Sequence, residues 1–218
     1  MQNSGAPQPA KWGRNLRRVG LMLAGVVAGY LALVIHPQPL FAHSLQRGNI
    51  VLYASQPLPP EATPMLDDAL RRIRTSPLYD AERTHHVFVC DTPQLYDFFA
   101  LWDYRSGGVT HTWASGNAFI RPSNLVRGRV IGRSGVEKGG ERTLSYYVAH
   151  EVTHAMTADH TGRLRFRGSR NRSCAALDTL LTFWPPGPEE RMNFHSNSSS
   201  GMTMSGVTIR AIRKARDA

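Results

Sequence analysis

The clearest hydrophobic pattern in the chain runs from Leu144 to Ala155. Apolar side chains recur at Leu144, Tyr147, Val148, Val152 and Ala155, and neither glycine nor proline interrupts Thr143 to His160. Spacings of three and four mark one stripe of a helix rather than the alternation of a strand. Thr143 stands where a capping residue belongs. Two further helix starts are expected upstream. Thr63-Pro64 opens a segment with Met65, Leu66, Ala69, Leu70 and Ile73 on one face and Asp67, Asp68, Arg71 and Arg72 on the other, ending before Pro77. Thr92-Pro93 opens a second, with Leu95, Phe98, Phe99 and Trp102 as an apolar stripe suited to a core. Short apolar runs predict strands at Asn49-Ile50-Val51-Leu52-Tyr53, at His86 to Cys90, at Asn117 to Arg121 and at Arg129 to Ile131. Ser106-Gly107-Gly108 reads as a break, and Gly132 to Gly140 as a loop. Helices and strands mixed in this order predict an α+β domain.

Ahead of that domain, Val19 to Ile35 carries no charge and is preceded by Lys11, Arg14, Arg17 and Arg18. As a helix it would reach roughly 26 Å, close to the hydrocarbon thickness of a bilayer. The basic flank predicts a cytoplasmic N-terminus and a domain on the far side. A cleaved signal peptide, with Leu40-Phe41-Ala42 as a poor cleavage site, is the competing reading, and the length of the apolar run favours an anchor. The expected organisation is a basic N-terminus over residues 1–18, a transmembrane helix over 19–36, a proline-containing linker over 37–60, the folded domain over 61–184 and a disordered basic tail over 185–218.

Charge adds one refinement. The 218 residues carry a formal net charge of +10, and residues 163–218 hold ten Arg or Lys against four Asp or Glu. No aromatic-interleaved basic motif accompanies the excess, and the expected topology keeps the tail from the cytoplasm, so no nucleic-acid partner is expected. Two cysteines, Cys90 and Cys174, could form one disulfide if the domain lies outside the cytoplasm but make no framework, and by default Cys90 reads as a buried free thiol.

The candidate chemistry sits inside the first pattern. His150-Glu151-Val152-Thr153-His154 matches H-E-x-x-H. On a helix, residues four apart lie one above the other, so His150 and His154 can offer two imidazoles to one Zn²⁺. Glu151 is rotated about a quarter-turn from His150 and can act as general base toward a water. The plain alternative is a helix that carries these residues by coincidence. Burying them without partners would be costly, which favours a site.

The motif with its apolar flanks resembles the active-site helix of the zincin metallopeptidases. That resemblance implies a zincin-like catalytic domain with a small mixed sheet over the motif helix. It also implies a sheet edge strand that holds a peptide or protein substrate, and a zinc-dependent, membrane-anchored peptidase of gluzincin-like, bacterial type. A non-catalytic, membrane-tethered binding domain on the same scaffold is the alternative.

Catalytic zinc takes three protein ligands, and the motif supplies two. The gluzincin third ligand is a glutamate on a following helix, yet the next glutamates are Glu189 and Glu190, after Pro-Pro-Gly-Pro. His160 has the spacing of the metzincin third histidine, but Thr157 stands where that motif has its turn glycine. Asp159 and Asp178 are weaker candidates. Beyond about Phe166 the composition shifts to Arg-, Ser- and Pro-rich stretches, and only Ala175 to Trp184 could form another helix. One expectation is therefore a truncated or frame-shifted C-terminal part. With chosen codons, Leu177 to Trp184 read from the third base gives Gly-Tyr-Ala-Ala-Tyr-Val-Leu, which resembles the Gly-Tyr-Ala-x-Tyr stretch after the third-ligand glutamate in some gluzincin-like sequences.

Overall fold

The apolar N-terminal run forms one helix, α1 (Lys11–Ile35), followed by a 3₁₀ turn at Gln38–Leu40. The rest of the structure, a computed structural model, comprises β1 (His43–Arg47), β2 (Ile50–Ala54), α2 (Ala62–Arg74), β3 (His85–Val89), α3 (Pro93–Ala100), β4 (Gly108–Thr110), β5 (Ala118–Ile120), β6 (Ser123–Asn124), β7 (Arg129–Val130) and α4 (Leu144–Thr161). It describes residues 11–163 apart from Tyr104 and Glu141. Cys174, Asp178, Glu189, Glu190, the helix expected over 175–184 and the tail over 185–218 lie outside the described residues.

Five strands make one mixed sheet in the order β1-β2-β3-β5-β4, with β2, β3 and β5 parallel and both outer strands antiparallel to their neighbours. Alternation along the strands sorts the core into two layers. Val87 and Val89 of β3, with Ile50, Leu52, Ala118 and Ile120, pack against α2 and α4. Phe88 and Phe119 face the other way, against Phe99 of α3, Phe41 and Val34 of α1. Phe99 and Phe119 stack with ring centroids 4.0 Å apart. The mixed α+β class expected from the sequence is thus present, with α2 and α4 on one face of the sheet and α3 on the other.

Local chemistry explains most element boundaries. Thr92 caps α3, its hydroxyl accepting from Leu95 N–H at 3.2 Å with Pro93 in the first turn. Thr143 caps α4 by accepting from Tyr146 N–H. The expected cap at Thr63 is corrected: α2 begins earlier, at Ala62, because the Pro59 and Pro60 carbonyls accept from Ala62 and Thr63 N–H. Asp68 joins α2 to the start of α4, accepting from Ser145 Oγ at 2.6 Å and Arg72 Nε at 2.8 Å. Burial pushes the Asp68 carboxyl up, but the Ser145 and Arg72 donors outweigh it and hold the group below its ordinary range.

The segment expected as a linker over residues 37–60 carries more regular structure than its prolines suggest. It contains β1 as well as β2, paired as a hairpin in which Arg47 faces Ile50. Gly48, at φ +56°, occupies the first turn position, where a two-residue hairpin requires positive φ. Phe41 ahead of the hairpin is buried in the core. The apolar stripe of α3 differs too: Tyr96 is fully buried while Phe98 is partly exposed. Cys90 is a free, buried thiol, and burial raises its pKa.

Candidate metal centre

Helix α4 is buried nearly all round. Tyr146, His150, His154 and Thr157, spaced by four, four and three, form its one partly open row, and Thr161 extends it into solvent. The two imidazoles meet on that row. His150 Nε2 lies 3.1 Å from His154 Nε2, with the rings perpendicular and their centroids 4.6 Å apart. Tyr146 stacks on His150 at 5.9 Å, and the Arg142 guanidinium lies over the Tyr146 ring. Two nitrogens bound to one tetrahedral zinc at about 2.0–2.1 Å stand about 3.3 Å apart, so the pair fits a shared Zn²⁺.

Glu151 faces inward beneath β4, with 4% of its surface exposed. Its Oε2 accepts from Thr110 Oγ1 at 2.6 Å, and the same hydroxyl lies 2.9 Å from the Glu151 carbonyl oxygen. The glycines read as a chain break make this contact possible. A Cβ on Gly108 would come within 2.7 Å of both Glu151 Cγ and Oε1, and one on Gly107 would stand 2.1 Å from Tyr147 Cε1. Glycine here serves close approach of strand to helix. Sequence alone does not mark Thr110 or the glycine pair as site residues. The glycines were visible, but only the register of β4 over α4 gives them this meaning.

His160 does not join the pair. Thr153, Thr157 and Thr161 each donate a hydroxyl to the carbonyl four residues back, at 2.7–2.8 Å, and α4 runs unbroken to Gly162 at φ +86°. The turn that would bring a third histidine inward is not made at Thr157. His160 ends up exposed, about 9 Å farther along the axis than His154. Asp159 is engaged elsewhere, with Arg83 Nε at 2.8 Å and Arg163 Nε at 3.2 Å. Among the described residues, no group of three His, Cys, Asp or Glu is placed to hold a metal ion.

His111 is buried on the α3 side of the sheet, its Nε2 2.8 Å from the Phe99 carbonyl and its ring against Phe119. Burial lowers its pKa, and the Phe99 hydrogen bond partly offsets this. The loop that follows is fixed at both ends. Arg163 donates to the Ala114 and Ser115 carbonyls from the end of α4, and Asn117 Nδ2 donates to the Val34 and Ile35 carbonyls of α1.

No family model, no curated protein and no solved structure matches this chain.

Proposed function

We propose that the chain is a membrane-anchored, zincin-like zinc peptidase, or a degenerate relative that keeps the metal pair. The observation that carries this reading is the convergence of His150 and His154 Nε2 on the open row of α4, with the Glu151 carboxylate one residue on, held beneath an edge strand. His150 and His154 would hold Zn²⁺. Bound there, the ion would supply Lewis-acid polarisation of a peptide carbonyl and lower the pKa of a water. Glu151 takes the proton at its carboxylate and returns it to the leaving amine. Thr110 keeps that carboxylate in one orientation, and Tyr146 holds the His150 ring by stacking. The outer edge of β4 pairs with no strand among the described residues, which suits an extended peptide or protein substrate added beside Glu151.

One N-terminal helix is long and apolar enough to span a membrane. We read α1 as an uncleaved, single-pass anchor over 19–36 with the domain on the non-cytoplasmic side. Its last turn supports this. Val34 is fully buried beside Phe41, Phe88 and Phe99, and cleavage after Ala42 would strip Val34 and Phe41 from that core.

The test is metal analysis of the purified full chain after chelation and zinc reloading. About one zinc per chain is expected, lost in His150→Ala with His154→Ala and retained in Glu151→Gln, which removes peptide hydrolysis. Stoichiometric zinc without Glu151-dependent hydrolysis would assign the tethered binding domain instead. No zinc above the double variant would sink the reading.

A further inference from the structure

The length of α1 and the way its end is docked do not fit a helix that leaves the bilayer before meeting the domain. From Asn15 to Gly29 every residue is exposed, whereas Tyr30, Leu33 and Val34 pack against the domain. The freely exposed apolar part, Val19 to Gly29, reaches only roughly 17 Å, well short of the ~30 Å hydrocarbon core. The docked turn must therefore lie inside the membrane boundary if α1 spans it, and whatever is packed on that turn goes with it. Phe98 of α3 is one such neighbour, its ring edge-on to Tyr30 at 5.2 Å.

The surface around this junction is built for that position. Of the six large apolar side chains that are exposed outside α1 among the described residues, four belong to the segments around its end: Leu40, Phe98, Leu101 and Trp113, each 40–41% exposed. Leu40 lies in the turn following α1, Phe98 touches it, Leu101 closes α3, and Trp113 belongs to the loop that caps it. The other two, Val126 and Val136, lie toward β6 and β7. Backbone chemistry agrees. The last carbonyls of a helix need donors, and lipid supplies none. Here the Asn117 amide donates to Val34 O at 2.9 Å and Ile35 O at 3.1 Å, and His36 N–H donates to Ala32 O at 2.8 Å, so three of the last four α1 carbonyls have donors within the protein. Aromatic side chains at such a level are characteristic of the lipid–water boundary.

We propose that the rim formed by Leu40, Phe98, Leu101 and Trp113 is immersed in the lipid interface of the bilayer that α1 spans, so that the domain is seated on the membrane rather than suspended above it. This rests on the reading of α1 as a spanning helix, and the partner is the phospholipid surface itself.

Site-directed spin labelling of the full chain in phospholipid bilayers tests it. In a Cys174→Ser background, which leaves only the buried Cys90, single cysteines replace Phe98, Trp113 and Leu40 on the rim, Val26 on α1, and Val126 and Val136 as water-facing references. Accessibility to dissolved oxygen and to a water-soluble nickel chelate gives the depth of each label. The rim labels are expected to favour oxygen over the nickel chelate by several-fold relative to the 126 and 136 labels. Leu40→Cys keeps the measurement decisive if an aromatic replacement does not fold. Rim labels as nickel-accessible as the references, with the Val26 label in lipid, would overturn the seated domain and leave the anchor standing. A Val26 label in water would overturn the anchor itself, and the seated domain with it.

Discussion

Thr110 Oγ1 sits 2.6 Å from Glu151 Oε2, across the gap between the edge strand and the motif helix. One hydroxyl proton serves two nearby acceptors, the carboxylate and the Glu151 carbonyl, and an ionised carboxylate is the stronger of them. Thr110→Val keeps the shape and removes the donor. A hydrogen bond to a charged group is worth ~1.5–3 kcal/mol, which corresponds to about a 10- to 100-fold loss. Glu151-dependent hydrolysis is expected to fall by that factor while zinc per chain stays unchanged; paired metal analysis and kcat/KM check it.

Gly108→Ala places a methyl against the same carboxylate. Overpacking of this kind costs typically about 1–3 kcal/mol, and the denaturant midpoint should fall accordingly. Gly107→Ala is expected to cost at least as much, because its methyl meets the Tyr147 ring. Gly139, with nothing within 4 Å of an added Cβ, supplies the control. Gly139→Ala should leave stability within about 0.5 kcal/mol.

Acid should loosen the fold through His85. Its side chain is nearly buried, and desolvation, with Arg83 nearby, pushes its pKa down to about 4 despite the opposing pull of Asp159. An unfolded histidine titrates near 6.5, so between those values the unfolded chain binds a proton that the folded chain refuses. The contribution is complete above about pH 6.5, declines as pH falls toward 4 and is then spent, for a loss on the order of 3 kcal/mol. His86 and His111, also lowered by burial, act in the same direction. Denaturant unfolding at pH 7.5 and 4.5 measures the loss, and His85→Asn should show a smaller difference between the two.

His160→Ala should not change zinc binding by more than about twofold, because the side chain lies about 9 Å past His154 along an unbroken helix. Zinc titration against a chromogenic chelator decides it. A tenfold loss would mean that α4 ends earlier when metal is bound.

What could be read from sequence was whatever is encoded within a few residues. The motif helix, its Thr143 cap, the Thr92-Pro93 start and the apolar face of α2 all depend on neighbours one turn away. β1 escaped because an edge strand of His43-Ser44-Leu45-Gln46-Arg47 is half polar and mostly exposed, leaving Gly48-Asn49 as the one hairpin signal. β4 was hidden behind glycines that look like a break until α4 is laid beneath them. In sequence Asn117 reads only as the start of a strand, because its acceptors lie more than 80 residues upstream. The His150–His154–Glu151 set was legible as a motif. The orientation of Glu151 was not, because it is fixed by a threonine on another element.

If α1 spans a membrane, the clamp between Asn117 and the end of α1 also sets how the domain moves. A disordered tether over residues 37–60 would let the domain roam by roughly 27 Å, sampling a dome of solvent around its anchor. With Val34 and Phe41 in the core and the α1 carbonyls held, that freedom is gone, and a molecule anchored through α1 would diffuse as one body in two dimensions. Thr110 beside Glu151 and Asn117 beside α1 are joined by a single short loop, so in an α1-anchored molecule the candidate site would travel at nearly constant height above the lipid. Peptide or protein substrates confined to that thin layer would then be presented to the proposed site at high effective concentration, while those free in solution would meet it only by collision from above.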